Sequence, residues 1–459
     1  MSKHRSRQHA RSFQPTRRQV LQGAGGLAAM AALGSPATHR AMAQDSAVAV
    51  DFWNWWDVGR QPLMDSIIAG FQEEFPDITV NNVPQTWDRR DEVVTTALAG
   101  GDPPEIIMAS RQEIVKFADS GALAPITQFV KDAGIDPEAY YPSEINSMWW
   151  KDELYALPMP TAGGETGLYF YNTTLFEEAG LDAEAPPETW DELDAAAEKL
   201  TKRTSDGALE QVGANLFVSN LVFLAQLYTN NGTFLSDDLK TVTFNSDQGV
   251  ETLQWLLDFS TKHHGGHQNY LDWVATINTG EDPFHQQRLG IQFQNVSQFF
   301  HLKNKAPDVK YSVHFRPYNS NNPDAASHGV AAMSFGWGYV IPSSLDPAVQ
   351  EAAFKFVQRI TWDEEGAATF MLEQERPSPL IAFNENPAYT ELNPHWDKVL
   401  TALENDISIG IVPVQGEMFT TLKDYVDLVA FEEMSPKDGL DAAAEEAQGI
   451  LDDYWSSQS

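Results

Sequence analysis

The sequence contains no cysteine. That absence rules out structural disulfides, thiolate metal sites, cysteine nucleophiles and a lipid-modified N-terminal cysteine. Positive charge is scarce, with 30 Lys+Arg against 65 Asp+Glu in 459 residues. It is also unevenly placed: Lys3, Arg5, Arg7, Arg11, Arg17, Arg18 and Arg40 all fall in residues 1–43, which hold no acidic residue. Without those seven, 23 basic residues face 65 acidic ones and the remainder carries −42. Such a charge repels nucleic acid and anionic membranes, so no nucleic-acid partner is expected. It reads as a solvated acidic surface. Beyond the N-terminus no segment approaches the roughly 20 apolar residues that a membrane helix needs. A Gly-x-Ser-x-Gly elbow, a phosphate loop and a dinucleotide fingerprint are also missing, so no cofactor is implied.

What is present is a globular composition, 42% hydrophobic, in a chain long enough for two lobes of ordinary domain size. Residues 1–43 read as an export address. Thr16-Arg17-Arg18-Gln19-Val20-Leu21-Gln22 resembles the twin-arginine signal. A short glycine-broken apolar stretch follows, and Ala41-Met42-Ala43 fits the small-x-small cleavage pattern. The mature protein is then expected to begin at Gln44 and to be soluble in the periplasm.

After Gln44 strands and helices alternate. Ala47–Trp53 is an apolar run of strand length. Ile67, Phe71 and Phe75, four apart, mark one face of a helix ended by Pro76. Ile78–Val80 restarts a strand, Val93–Leu98 a helix closed by Gly100-Gly101, and Glu105–Ala109 a third strand. This order argues for parallel βαβ units, whose ligands bind at the carboxyl ends of strands. From about Thr189 to Leu257 the chain reads as mostly helical. A strand is expected over Ala331–Ile341, and helices over Ala348–Ile360, Asp397–Glu404 and Leu440–Tyr454.

The chain resembles the family-1 extracellular solute-binding proteins, the sugar-binding components of ABC importers. The resemblance rests on pieces in order: Phe52-Trp53-Asn54-Trp55-Trp56, Phe71-Gln72-Glu73-Glu74-Phe75-Pro76-Asp77-Ile78, Ala97-Leu98-Ala99-Gly100-Gly101-Asp102-Pro103-Pro104-Glu105-Ile106, Asp119-Ser120-Gly121-Ala122-Leu123-Ala124-Pro125, Lys151–Pro158, Gly167–Asn172 and Pro187–Leu193. It implies an α/β, two-lobed periplasmic-binding-protein fold, with an interlobe cleft and several hinge crossovers. The implied lobes are residues 44–162 with 335–373, and 163–334 with 374–459. Crossovers are expected at Pro160–Thr166, Val330–Phe335 and Glu373–Arg376. The implied function is capture of a mono- or oligosaccharide by a monomeric receptor, and its delivery to the membrane permease subunits of an ABC importer.

A sugar presents flat C–H faces to aromatic rings and a rim of hydroxyls to polar side chains. Trp55 and Trp56 follow the first strand, where they either face a ligand or pack between lobes. Asp57 either accepts a hydroxyl or caps a helix. Arg111 occupies the loop that contacts ligand in the family. Glu165 sits in the first crossover. Asn295 and Ser297 follow the strand Gly290–Phe293, as ligand contacts or as turn formers. Trp337, between Gly336 and Gly338, is expected to stack on the ligand, with its ring partly in water. Trp273 and Arg376 complete the expected contacts. No catalytic residue and no metal ligand is assigned, and His263-His264-Gly265-Gly266-His267 reads as a surface loop. The rival reading is a secreted glycoside hydrolase, whose site also combines tryptophans with carboxylates. An exported cofactor enzyme would suit the twin-arginine signal but has no motif behind it.

Overall fold

A computed structural model describes residues 47–458, apart from 87–88, 160–166, 278–280, 323, 326–335 and 406–408. The expected crossovers at 160–166 and 330–335, the signal region and Glu165 lie outside the described residues.

Twelve strands are described: β1 (Val48–Asn54), β2 (Ile78–Pro84), β3 (Ile106–Ser110), β4 (Trp149–Trp150), β5 (Glu153–Leu154), β6 (Leu157–Met159), β7 (Leu168–Asn172), β8 (Lys202–Arg203), β9 (Leu209–Ala214), β10 (Leu289–Phe293), β11 (Tyr311–Phe315) and β12 (Trp337–Val340). They form two five-stranded sheets, in the orders β2-β1-β3-β12-β6 and β11-β7-β10-β9-β8, and a small β4-β5 pair. In the first sheet β1 runs parallel to β2 and β3, while β12 runs antiparallel to β3 and β6. In the second, β9 and β10 are parallel, and β7 is antiparallel to both β10 and β11.

Local sequence accounts for the first βαβ unit. β1 alternates, burying Val50, Phe52 and Asn54, the period expected of a strand. The helix Gln61–Glu74 turns Met64, Ile68 and Phe71 inward, one apolar stripe at helical spacing. It ends before Pro76, where Phe75 N–H bonds Phe71 O at 2.8 Å. β3 is buried along its whole length, as a strand covered on both faces must be. Phe52 meets Tyr339 and Phe356 edge-on, each at 5.5 Å, which ties β1 to β12 and to the helix Pro347–Thr361.

The stretch from Thr189 to Leu257 is not mostly helical. It holds the helices Trp190–Leu200, Asn220–Tyr228 and Asp247–Phe259, but β8 and β9 lie between the first two. β9 reads poorly as a strand because its apolar side is made by Val212 and small residues. Gly213 is needed there: a Cβ would come within 2.5 Å of the Ala197 carbonyl of the overlying helix. The histidine cluster is not a surface loop either. His263 and His264 are buried, His264 bonds Ala214 O at 3.0 Å, and His263 bonds Asp194 at 2.8 Å. The aromatic rings of Phe259 and Tyr270 enclose them.

Each sheet has its own apolar packing. The first cluster runs through 50–159 and 337–380. The second sheet is packed on one side by the helices Gln415–Ala430 and Pro436–Ser457, and on the other by a cluster that includes Trp396. At the expected third passage, Leu380 still belongs to the first cluster, and Tyr141 N–H bonds Pro379 O at 3.1 Å.

Candidate functional site

Strand direction gathers the candidate residues. β1 and β3 are parallel, so Trp55-Trp56-Asp57 and Arg111 leave the sheet on the same edge. β12 enters on that edge, because Trp337 pairs with Ser110 on one side and with Met159 on the other. In the second sheet Asn215, Gln294 and Arg316 follow the ends of β9, β10 and β11, on the edge where β7 begins. Met159 on the first edge and Gly167 on the second are eight residues apart, at most about 29 Å of extended chain. Carboxyl ends of strands are where open α/β sheets receive ligands.

Trp55 and Trp56 are buried at this edge. Phe370 meets the Trp56 ring edge-on at 5.5 Å, and the Arg376 guanidinium lies 5.6 Å from its centre. Tyr339 feels both the Trp56 indole and the Arg376 charge, while burial holds its phenol well above the ordinary range. The Trp55 indole N–H has no acceptor among the described residues. A buried donor left unmade costs about 1–3 kcal/mol, which a hydroxyl acceptor from a ligand would recover.

Asp57 is not the helix cap, which is Arg60. Its Oδ1 accepts from Gly59 N–H at 3.0 Å, and it pairs with the Arg60 guanidinium. Arg60 in turn lies over the Phe300 ring at 4.4 Å. The loop after β1 thus rests on the helix Ser297–Lys305 of the second sheet. A second link joins the same helix to the third passage through the Lys303–Glu375 ion pair.

Arg111 is neither exposed nor open to the cleft. It is 1% exposed and pairs with Glu144 at 2.8 Å, itself 1% exposed. Gly336 exists to admit it, since a Cβ there would stand 1.7 Å from Arg111 Nε. Trp337 is covered as well. Its ring is 7% exposed, sits in the first core and carries the Arg90 guanidinium at 4.7 Å. The expectation of a ring partly in water fails because β12 is clamped between β3 and β6, not looped at an edge.

Asn295 and Ser297 both form a turn and line a cavity. Asn295 Oδ1 accepts from Ser297 N–H at 2.9 Å, and both residues border a cavity of about 840 Å³ together with Asn215 and Gln294. Trp273 stands apart. Its N–H reaches Glu210 O at 3.5 Å, near the start of β9 and so at the far end of that strand from Asn215. Sequence reasoning missed Arg316, which is buried over the Phe293 ring at 4.4 Å; burial pulls its pKa down to about 9. No local pattern marks it.

Residues 57–367 match the family described as bacterial extracellular solute-binding protein. The chain belongs to that family. It is similar to the sn-glycerol-3-phosphate-binding periplasmic protein UgpB of Pectobacterium atrosepticum, 20% identical over 88% of this chain and 92% of that protein. Among solved structures it is similar to an ABC transporter solute-binding protein from Thermotoga lettingae bound with α-D-tagatose (TM-score 0.73, 23% identity, 88% of this chain and 99% of that one). It is also similar to UgpB from Mycobacterium tuberculosis in complex with glycerophosphocholine (TM-score 0.73, 19% identity, 88% and 99%). These likenesses show the two-lobed α/β fold. Among the described residues no helix is long and apolar enough to cross a membrane.

Two histidines, the buried His264 and the half-buried His301, give this solute-binding protein a pH dependence. Burial lowers His264 to about 4, and burial together with the Arg60 and Lys305 charges lowers His301 to about 4. Unfolded, both titrate near 6.5. Between those values the unfolded chain binds protons that the native one does not, so stability falls as pH drops from about 6.5 toward 4. Urea midpoints at pH 7 and pH 5 should show the loss, and His301→Gln should shrink the difference.

Proposed function

We propose that the mature protein is a periplasmic, monomeric receptor that captures a carbohydrate between its lobes and hands it to the permease subunits of an ABC importer, without covalent chemistry. The lobes are residues 44–162 with 335–373 and 163–334 with 374–459. The supporting observation is the pairing of two unlike edges. One offers Trp55 with its unused indole N–H, Asp57 and Arg376; the other offers Asn295 and Ser297 in the lining of a polar cavity. Rings suit the faces of a sugar, and amides and hydroxyls suit its rim. A ligand held by both edges binds the closed arrangement better than an open one and so drives closure. The name of the Thermotoga lettingae neighbour's ligand agrees with a sugar.

A second reading is favoured by Arg316 and Arg376, two buried guanidiniums at these edges. Guanidinium recognises phosphate, and the names of the UgpB relatives carry a polyol phosphate or its ester. Thermal shift and calorimetric titration with tagatose, maltose, sn-glycerol 3-phosphate and glycerophosphocholine separate the two readings. A ligand at a hundred times its Kd adds about 2.7 kcal/mol of stability. Binding with no product formed supports the receptor, and turnover of an oligosaccharide supports the hydrolase.

A further inference from the structure

The cavity of about 840 Å³ extends beyond the two contacts that the sequence suggests. It lies between the helix His267–Ala275, the loop 281–286 and the helix Ser297–Lys305. Its wall is a fixed polar lattice. Gln292 Nε2 donates to both oxygens of Asp282 at 3.0 Å. Gln298 Nε2 donates to Gln292 Oε1 at 2.8 Å and lies 3.1 Å from His285 Nε2. Both glutamines are buried, while the Asp282 side chain keeps 22% of its surface. Asp282 also accepts from Phe284 N–H at 2.8 Å and from Gln298 Nε2 at 3.3 Å, so its carboxylate is fixed in place by the lattice while part of its surface stays open to the cavity.

We infer that this cavity is a compartment of the cleft that takes an uncharged, polyhydroxylated portion of the ligand, a glycosyl or polyol unit, with Asp282 as its principal acceptor and Asn295 and Ser297 at its entrance. The inference rests on the reading of the chain as a carbohydrate receptor and adds where the hydroxyl-rich part sits. Three features support it. The volume falls within the roughly 300–1,000 Å³ of small-molecule sites. The described lining has two carboxylates, Glu281 and Asp282, against one cation, Lys305, which disfavours an anion. The two lining histidines, His285 and His301, are both held toward the neutral form by burial. The neighbouring Phe300 lies under the Arg60 guanidinium at 4.4 Å, which sets the helix Ser297–Lys305 against the loop that follows β1.

The test uses the mature protein with maltose, maltotriose and sn-glycerol 3-phosphate as probes. Asp282→Asn, close in shape but uncharged, should weaken a bound neutral saccharide at least tenfold and leave the melting temperature of the unliganded protein within a few degrees. Hydrogen exchange should slow in 281–286 and 297–301 when that saccharide is added to the unmodified chain, a readout that needs no variant. A saccharide whose affinity falls in Arg376→Ala but not in Asp282→Asn, with no added protection at 281–286, would keep the receptor and overturn the compartment. Tight binding of sn-glycerol 3-phosphate that strengthens in Asp282→Asn would overturn it too, by placing an anion in the cavity. If no probe binds the unmodified chain, the carbohydrate reading and the compartment fall together.

Discussion

Replacing Arg111 by methionine should lower the free energy of unfolding by about 3–5 kcal/mol, because it breaks a buried ion pair and removes the charge that faces the Glu144 carboxylate. Both side chains are 1% exposed and 2.8 Å apart, so water cannot replace the lost contact without opening the edge of the first sheet. Against a typical stability of about 5–15 kcal/mol the loss is large. It corresponds to a melting-temperature fall on the order of 10 °C at about 2–4 °C per kcal/mol. Glu144→Leu should cost a similar amount, because it breaks the same buried pair from the other side. The double variant Arg111→Met, Glu144→Leu should recover more than half of either loss, since an apolar pair of similar volume removes the desolvation cost of both ions. Urea titration measures all three. Single variants that lose less than about 1 kcal/mol would mean that the pair is solvated, and would return Arg111 to the set of residues open to ligand.

The parts of this fold that were legible were those whose cause is local. β1, the helix Gln61–Glu74 and β3 follow from an apolar run, a four-residue spacing and a stop at Pro76. The late helices Trp396–Glu404 and Pro436–Ser457 follow from their stripes in the same way. β9 was hidden because its strand character comes from packing beneath the helix Trp190–Leu200, which only a glycine at 213 permits. His263 and His264 look like solvent-facing polar residues until Phe259, Tyr270 and Asp194 close around them.

The site was legible as positions but not as environments. Residues just past strand ends were found: Trp55, Trp56, Arg111, Asn295 and Ser297 all stand on the expected edges. What surrounds them comes from far along the chain. Glu144 lies 33 residues from Arg111, and Arg376 is brought to Trp56 only by the third passage. The glycines flanking Trp337 suggested room for a ligand, whereas Gly336 makes room for the Arg111 guanidinium. Asp282, Gln292 and Gln298 carry no motif at all; their meaning is the lattice that they form.

Trp337→Ala should cost about 3–5 kcal/mol of stability in the unliganded protein, the usual penalty for emptying a core site of a large ring. The ring is 7% exposed, joins β3 to β6 through β12 and is roofed by Arg90. Its effect on binding should be small once folding is allowed for. With about 250 Å² of surface on a tryptophan, the exposed fraction leaves about 20 Å² for a ligand. At about 25 cal/mol per Å² that is about 0.5 kcal/mol, or roughly a twofold change in Kd. A full stacking contact would instead give tens of fold. Trp337→Phe separates the two roles, because it refills most of the core and should restore most of the stability while Kd stays within about threefold. Trp55→Phe should do the reverse: it keeps an aromatic ring but removes the indole N–H, which has no acceptor among the described residues. The unliganded protein should then be as stable as before or slightly more so, and affinity should fall by about three- to tenfold if a ligand hydroxyl takes that hydrogen bond. Calorimetry and urea unfolding on the same preparations give both numbers. A Trp337→Phe variant that unfolds normally yet loses more than tenfold in affinity would put the stacking ring back at Trp337.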